Sequence, residues 1–176
     1  EGIKVALISS GESGFYGMAG LLLELLQKVK KEHRPYFEVH PGISSIQLAA
    51  AISGAPLMND FCSISLSDKL TPWSLIEKRI KGALLGDFVI ALFNPQSIER
   101  NWQLKSVIDR CLKSRPGKTP VLVARQVGRE NQSKKFFTLD SIPLKEIDML
   151  SIIVIGNSQT TLIDEIFITP RGYIQN

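Results

Sequence analysis

Residues 61–93 read FCSISLSDKLTPWSLIEKRIKGALLGDFVIALF. Cys62–Leu66 alternates in polarity, as a half-buried strand does. Thr71 stands where an N-cap is wanted, and Pro72 suits the first helical position. Trp73, Ile76, Ile80 and Leu84 follow at helical spacing and predict a buried stripe. Phe88–Phe93 is apolar without interruption, the mark of a strand covered on both faces. Strand, crossover helix and buried strand in succession predict an α/β fold.

The same alternation continues in both directions. Downstream come the loop Asn94-Pro95-Gln96-Ser97, a helix carrying Leu104, Val107, Ile108, Cys111 and Leu112, and a strand at Val121–Val127. Phe136–Leu139 can pair back on that strand through the polar stretch Gly128–Lys135. Ile152–Ile155 is the last fully apolar strand, and Ile166–Thr169 a short edge segment. Upstream, Ile3–Ser9 reads as a strand ending in the loop Ser10–Gly17. Met18, Leu21, Leu22, Leu25, Leu26 and Val29 then form one helical face. Tyr36–Val39 predicts a short strand, and Ser44 with Gln47 a capping box that opens a helix to about Ile52. The break at Ala55–Phe61 predicts two α/β units, 1–58 and 59–176, with mainly parallel or mixed sheets.

Composition narrows the function classes. The 176 residues are 44% apolar and 22% charged, the balance of an ordinary globular chain. The net charge of +4 is scattered, which suits an anionic small molecule and gives no basic block for nucleic acid. No apolar run reaches the ~18 residues of a membrane span. Cys62 and Cys111 lie far apart, so they make no disulfide framework and suit a reducing compartment such as the cytoplasm. With only His33 and His40 beside them, no Cys/His metal site is expected.

Chemistry is expected where strands end. The Ser10–Gly17 loop has the spacing G-x-x-G-x-x-G, which is neither the dinucleotide fingerprint nor a P-loop. Its glycines serve a tight turn, or equally let a ligand approach the backbone at a helix start. Ser67-Asp68 followed by Thr71-Pro72-Trp73 brings a carboxylate, two hydroxyls and an aromatic into one loop, which helix capping also explains. Gly156-Asn157-Ser158-Gln159-Thr160 exposes polar side chains directly after a buried strand. Arg171 near the end is a candidate carboxylate clamp.

Seven segments occur in one order: VALISSGESGFYGMAG, HPGISS, APLMNDFCSISLSDKLTPW, VIALFNPQS, VGRE, IVIGNSQT and ITPRGY. Together they resemble the tetrapyrrole methylase superfamily, and within it the precorrin-3B C(17)-methyltransferases of cobalamin biosynthesis and their cobalt-factor III counterparts. The resemblance runs from about Lys4 to Tyr173. It implies two α/β domains, S-adenosyl-L-methionine held in the cleft between them, a homodimer and an anionic tetrapyrrole substrate. The family's opening strand is not found, so the resemblance implies an N-terminally truncated chain with an incomplete first domain. The superfamily's Gly-Asp-Pro-Gly stands here as Gly11-Glu12-Ser13-Gly14.

The implied reaction is methyl transfer to C-17 of precorrin-3B or cobalt-factor III, with ring contraction. Contraction moves protons, and Asp68 is the candidate acid or base. By resemblance Gly11, Glu12 and Phe15 line the cofactor, with Ser44 and Ser45 beneath it. Phe93 and Asn94 face the donor from the second domain, and Gly156, Asn157, Thr169 and Pro170 make backbone contacts around the adenine. Arg125, Arg129 and Arg171 are the expected anchors for the substrate's acetate and propionate arms. The alternatives are a sister corrin methylase acting at another carbon and a non-catalytic assembly fragment.

Overall fold

The computed structural model describes residues 2–173. The chain divides into two compact units, Glu1–Gln47 and Leu48–Asn176.

In the first unit, α1 (Met18–Gln27) follows the Gly-rich loop. Its C-terminal carbonyls are closed by Arg34, whose Nε donates to Val29 O (2.8 Å) and Nη2 to Gln27 O (3.1 Å). Only Ala19 of this helix is buried; Leu21 and Leu25, on the apolar face, remain exposed. The strands expected at Ile3–Ser9 and Tyr36–Val39 do not form: both stretches lie outside any ladder, with Ile3, Val5, Ile8 and Tyr36 exposed. Apolar content favours a strand, but a strand exists only where a neighbour supplies the other half of its hydrogen bonds. Helix α2 (Ser45–Ser53) crosses the division between the units. Half of its expected capping box forms, with Ser44 N–H donating to Gln47 Oε1 at 2.9 Å.

The second unit holds two sheets. β1 (Gly54–Ala55), β7 (Thr161–Ile163) and β8 (Ile166–Ile168) make the smaller one, in the order β1-β8-β7. The β8 segment expected at an edge is therefore central. The division falls before the boundary expected at 58/59, and β1 belongs with β8 in the second unit.

The larger sheet contains β2 (Phe61–Ser65), β3 (Val89–Phe93), β4 (Pro120–Arg125), β5 (Ser133–Thr138) and β6 (Ser151–Ile155). Its order is β2-β3-β6-β4-β5, and the fold is mixed α/β. Only β2 and β3 are parallel, joined by α3 (Trp73–Leu85); the other neighbours are antiparallel. The expectation of mainly parallel pairing thus holds for one pair, and the mixed alternative describes the sheet. β6 enters between β3 and β4, a long-range insertion that local periodicity cannot signal.

Both faces of the three central strands are covered, as the uninterrupted apolar run Phe88–Phe93 predicted for β3. Ile90, Leu92, Val121, Ile153 and Ile155 face one core with Ile76 and Ile80 of α3 and Leu104, Val107 and Cys111 of α4 (Gln103–Leu112). The alternate residues Val89, Ala91, Leu122, Ala124, Ile152 and Val154 are buried as well. Phe136 is Leu122's partner across β5, and its ring lies 6.1 Å from that of Phe167 in β8. α3 starts one residue later than expected, with Pro72 as its N-cap, and ends at Gly86.

Candidate active site

Register decides which loops share an end of the large sheet. Ser65 pairs with Phe93, Leu92 with Ile153, and Arg125 with Ser151. The carboxyl ends of β2, β3 and β4 and the start of β6 therefore lie together. This end carries Asp68, Phe93, Asn94 and Arg125 of the expected site residues.

Two loops meet there: 66–72, holding Asp68, and 94–102. Leu66 N–H donates to Phe93 O at 2.9 Å, and Asn94 Nδ2 to Ser65 Oγ at 2.9 Å. Asn94 itself sits at φ +51°, a left-handed conformation that Asn tolerates and that turns the chain sharply off β3. The buried Arg100 spans both loops: its Nη1 donates to Leu66 O (3.2 Å) and Asn94 O (3.0 Å), and its Nη2 to Met149 Sδ (3.0 Å). Trp73 and Trp102 close the loops' far ends, with ring centroids 4.8 Å apart and edge to face. Gln103, the first residue of α4, donates from Nε2 to Asp68 Oδ2 at 2.9 Å. Asp68 is half-buried and thereby fixed by one oxygen.

Arg125 is already engaged. Its Nε and Nη2 reach Asp148 Oδ2 at 2.9 and 2.8 Å. Burial opposes ionisation of Asp148, but the hydrogen bonds from Arg125, Ser151 and the Leu150 amide outweigh it and hold the carboxyl below its usual range. Arg129 and Arg171 are exposed and carry no ion pair among the described residues.

Gly156 and Asn157 follow β6 and so lie at the opposite end of this sheet from Asn94. Their polar groups are used internally. Gly156 N–H donates to Pro120 O (2.9 Å), and Asn157 N–H to Thr160 Oγ1 (2.8 Å). Asn157 Oδ1 accepts from Gln159 N–H and Thr160 Oγ1, and its Nδ2 donates to Asp87 O. Arg115, buried, donates to Gly156 O and Phe88 O at 2.6 Å each. Thr169 N–H donates to Ala55 O, and Pro170 O accepts from Asn59 Nδ2. The backbone N–H groups of Gly156, Asn157 and Thr169 are thus engaged within the protein. The segment therefore does not meet at Asn94, and its polarity closes a turn.

The first unit's candidates form a set of their own. Gly11 is exposed at φ +73°, and a Cβ placed on Gly42 would lie 2.0 Å from Gly11 O. The Gly11–Glu12 backbone thus packs directly on Pro41-Gly42-Ile43, a contact only glycine permits. Glu12 is half-buried, with Oε2 3.3 Å from where a Cβ on Gly14 would stand. Phe15 is exposed and its ring lies 5.1 Å from that of Tyr16; Ser44 is buried and Ser45 half-buried.

With these positions fixed, the kinship of the chain can be read. Residues 1–143 match the family of Tetrapyrrole (Corrin/Porphyrin) Methylases. The chain belongs to the tetrapyrrole methylase family. It is 46% identical, over 98% of its length and 70% of the relative's, to a probable cobalt-factor III C(17)-methyltransferase of Salmonella typhimurium. It is 47% identical to the cobalt-factor III methyltransferase of Priestia megaterium, again over 98% of its own length but only 32% of that longer protein. Among solved structures, that of the methyltransferase CobJ superposes with a TM-score of 0.86 at 33% identity, covering 91% of this chain and 67% of the other.

Arg100 and Gln103 are the site residues that sequence reasoning missed. Gln103 had a signal: it precedes Val107 and Cys111 at i, i+4, i+8 and so shares the buried face of α4. Arg100, in an irregular loop, had none.

Proposed function

We propose that this tetrapyrrole methylase acts as a C(17)-methyltransferase of cobalamin biosynthesis, with S-adenosyl-L-methionine as donor and cobalt-factor III as substrate. The names of the two relatives at 46% and 47% identity support the substrate. The observation that carries the chemistry is the Asp68 carboxylate, held by one oxygen at the carboxyl ends of β2 and β3.

Gly11, Glu12, Phe15, Ser44 and Ser45 are the cofactor candidates of the first unit, and Phe93 and Asn94 those of the second. Side-chain-free backbone at Gly11 and Gly14 beside the Glu12 carboxylate fits a ligand that presents hydroxyls and an ammonium. Bound there, S-adenosyl-L-methionine supplies a methyl group on a sulfonium. Gly156, Asn157, Thr169 and Pro170 remain candidates for the adenine through backbone carbonyls, since the backbone N–H groups of the first three are engaged within the protein. The task of the protein is then positioning, with the receiving carbon held in line at about 3–3.5 Å from the methyl. Asp68 takes or gives the proton that ring contraction moves. Arg129 and Arg171 are free to meet the substrate's carboxylates, whereas Arg125 must first share its charge with Asp148. The reading includes a homodimer working in the cytoplasm, where Cys62 and Cys111 stay as free thiols. Among the described residues no helix is long and apolar enough to cross a membrane.

The test is to incubate the chain with cobalt-factor III and a donor carrying a ¹³C methyl. A product heavier by one labelled methyl, located at C-17 by NMR, is expected. A label at another ring carbon favours a sister methylase, and no transfer with intact folding favours a non-catalytic role.

A further inference from the structure

We propose that Gln103 is the positioning residue for Asp68, fixing the direction of its carboxylate so that Oδ1 is the oxygen presented; this rests on the reading of Asp68 as the acid or base. Gln103 is 2% exposed and reaches Asp68 from a different element, the first turn of α4, with Nε2 2.9 Å from Oδ2. Its other amide atom, Oε1, is buried and has no hydrogen-bond partner among the described residues. A side chain chosen only to fill this place would be apolar, since Gln103 lies on the face of α4 that carries Val107 and Cys111 in the core. Keeping an amide here leaves Oε1 orphaned, a cost that the donation from Nε2 to Asp68 must offset. To a carboxylate, Gln103 donates from Nε2. When Oδ1 takes up a proton, Oδ2 becomes the carbonyl oxygen of the acid and accepts less strongly, so the donation favours the carboxylate. Asp68 Oδ1 has no hydrogen-bond partner among the described residues, so it is the oxygen left to face substrate. Arg100 holds the backbone on either side of this pair, through Leu66 O and Asn94 O, so the remaining freedom is that of the side chains.

The test compares Gln103→Leu, Asp68→Asn and the double variant in the full chain, by turnover, S-adenosylhomocysteine affinity and the pH profile. If Gln103 positions Asp68, Gln103→Leu lowers turnover about tenfold or more and leaves cofactor affinity unchanged. It also moves the acid limb of the profile upward, because the carboxylate has lost a donor. The double variant is then no slower than Asp68→Asn alone. A Gln103→Leu enzyme with unchanged turnover and profile, beside an inactive Asp68→Asn, overturns the proposal and spares the role of Asp68. Full turnover in Asp68→Asn removes both. Gln103→Met, equally long and without a hydrogen-bond donor, takes the place of the leucine variant if that one does not fold.

Discussion

Replacing Arg100 by methionine tests whether the two loops of the candidate site are held by one buried guanidinium. The change removes the donations to Leu66 O and Asn94 O, at 3.2 and 3.0 Å, and leaves two carbonyls to find other partners. Hydrogen bonds from a charged donor contribute about 1.5–3 kcal/mol each, so about 3–6 kcal/mol is lost. Against this, Arg100 Nε is buried without a partner, and removing it recovers about 1–3 kcal/mol. The mid-values leave a destabilisation of about 2.5 kcal/mol, or a fall in Tm of about 5–10 °C for a chain of this size. Arg100→Lys keeps the charge but has no planar fork to span both carbonyls, and it should fall short of the wild type too. Trp73 and Trp102 are the chain's two tryptophans and sit at the ends of these loops, so urea titration followed by tryptophan fluorescence reads the region directly. Equal or greater stability in Arg100→Met would refute the reasoning. The guanidinium would then be a buried charge whose desolvation outweighs its contacts, as happens with some buried ion pairs.

Gly42→Ala brings a methyl to 2.0 Å from Gly11 O, with backbone that cannot yield cheaply, so S-adenosylhomocysteine affinity measured by calorimetry should be lost. The control is Gly20→Ala in α1, where nothing lies within 4 Å; it should bind normally and gain about 0.5–1 kcal/mol of helix stability. Burial pushes the Cys62 and Cys111 thiols up to about 11 from an ordinary value near 9, with the Arg115 charge opposing. The folded chain thus keeps both protons between those values while the unfolded chain releases them. Stability present below pH 9 should be lost as the pH climbs toward 11, which urea titrations across that window will read. At pH 8 the native thiols should alkylate about a hundredfold more slowly than in urea; equal rates would contradict the shift.

The sequence revealed what local pattern controls. Val89–Leu92 and Ile152–Ile155 were legible as doubly covered strands because an uninterrupted apolar run has no other comfortable place in an α/β fold. Leu104, Val107 and Cys111 announced the buried face of α4 in the same way. Strand direction was not legible, because β6 pairs with β3 and β4 across long stretches of chain, and that pairing alone decides which loops share an end. The strands expected at Ile3–Ser9 and Tyr36–Val39 failed for the complementary reason: composition cannot report whether a hydrogen-bonding neighbour is present. Asn157 looked like a ligand residue because a polar group after a buried strand attracts that reading; that its side chain also closes a turn on Gln159, Thr160 and Asp87 is something local pattern does not announce. Asp68 was picked out by its loop's chemistry, whereas its bond from Gln103 joins two elements far apart in the chain and came only from the fold.

The central claim is that chemistry takes place at the Asp68 end of the large sheet, and one substitution addresses it. Asp68→Asn keeps the shape and removes the acid, so turnover of cobalt-factor III should fall by ~10²–10⁴ while S-adenosylhomocysteine affinity stays as it was. The same change should cost no more than about 1 kcal/mol of stability, because the asparagine oxygen can still accept from Gln103. An Asp68→Asn chain that turns over at the parent rate, whatever its melting temperature, would contradict the account.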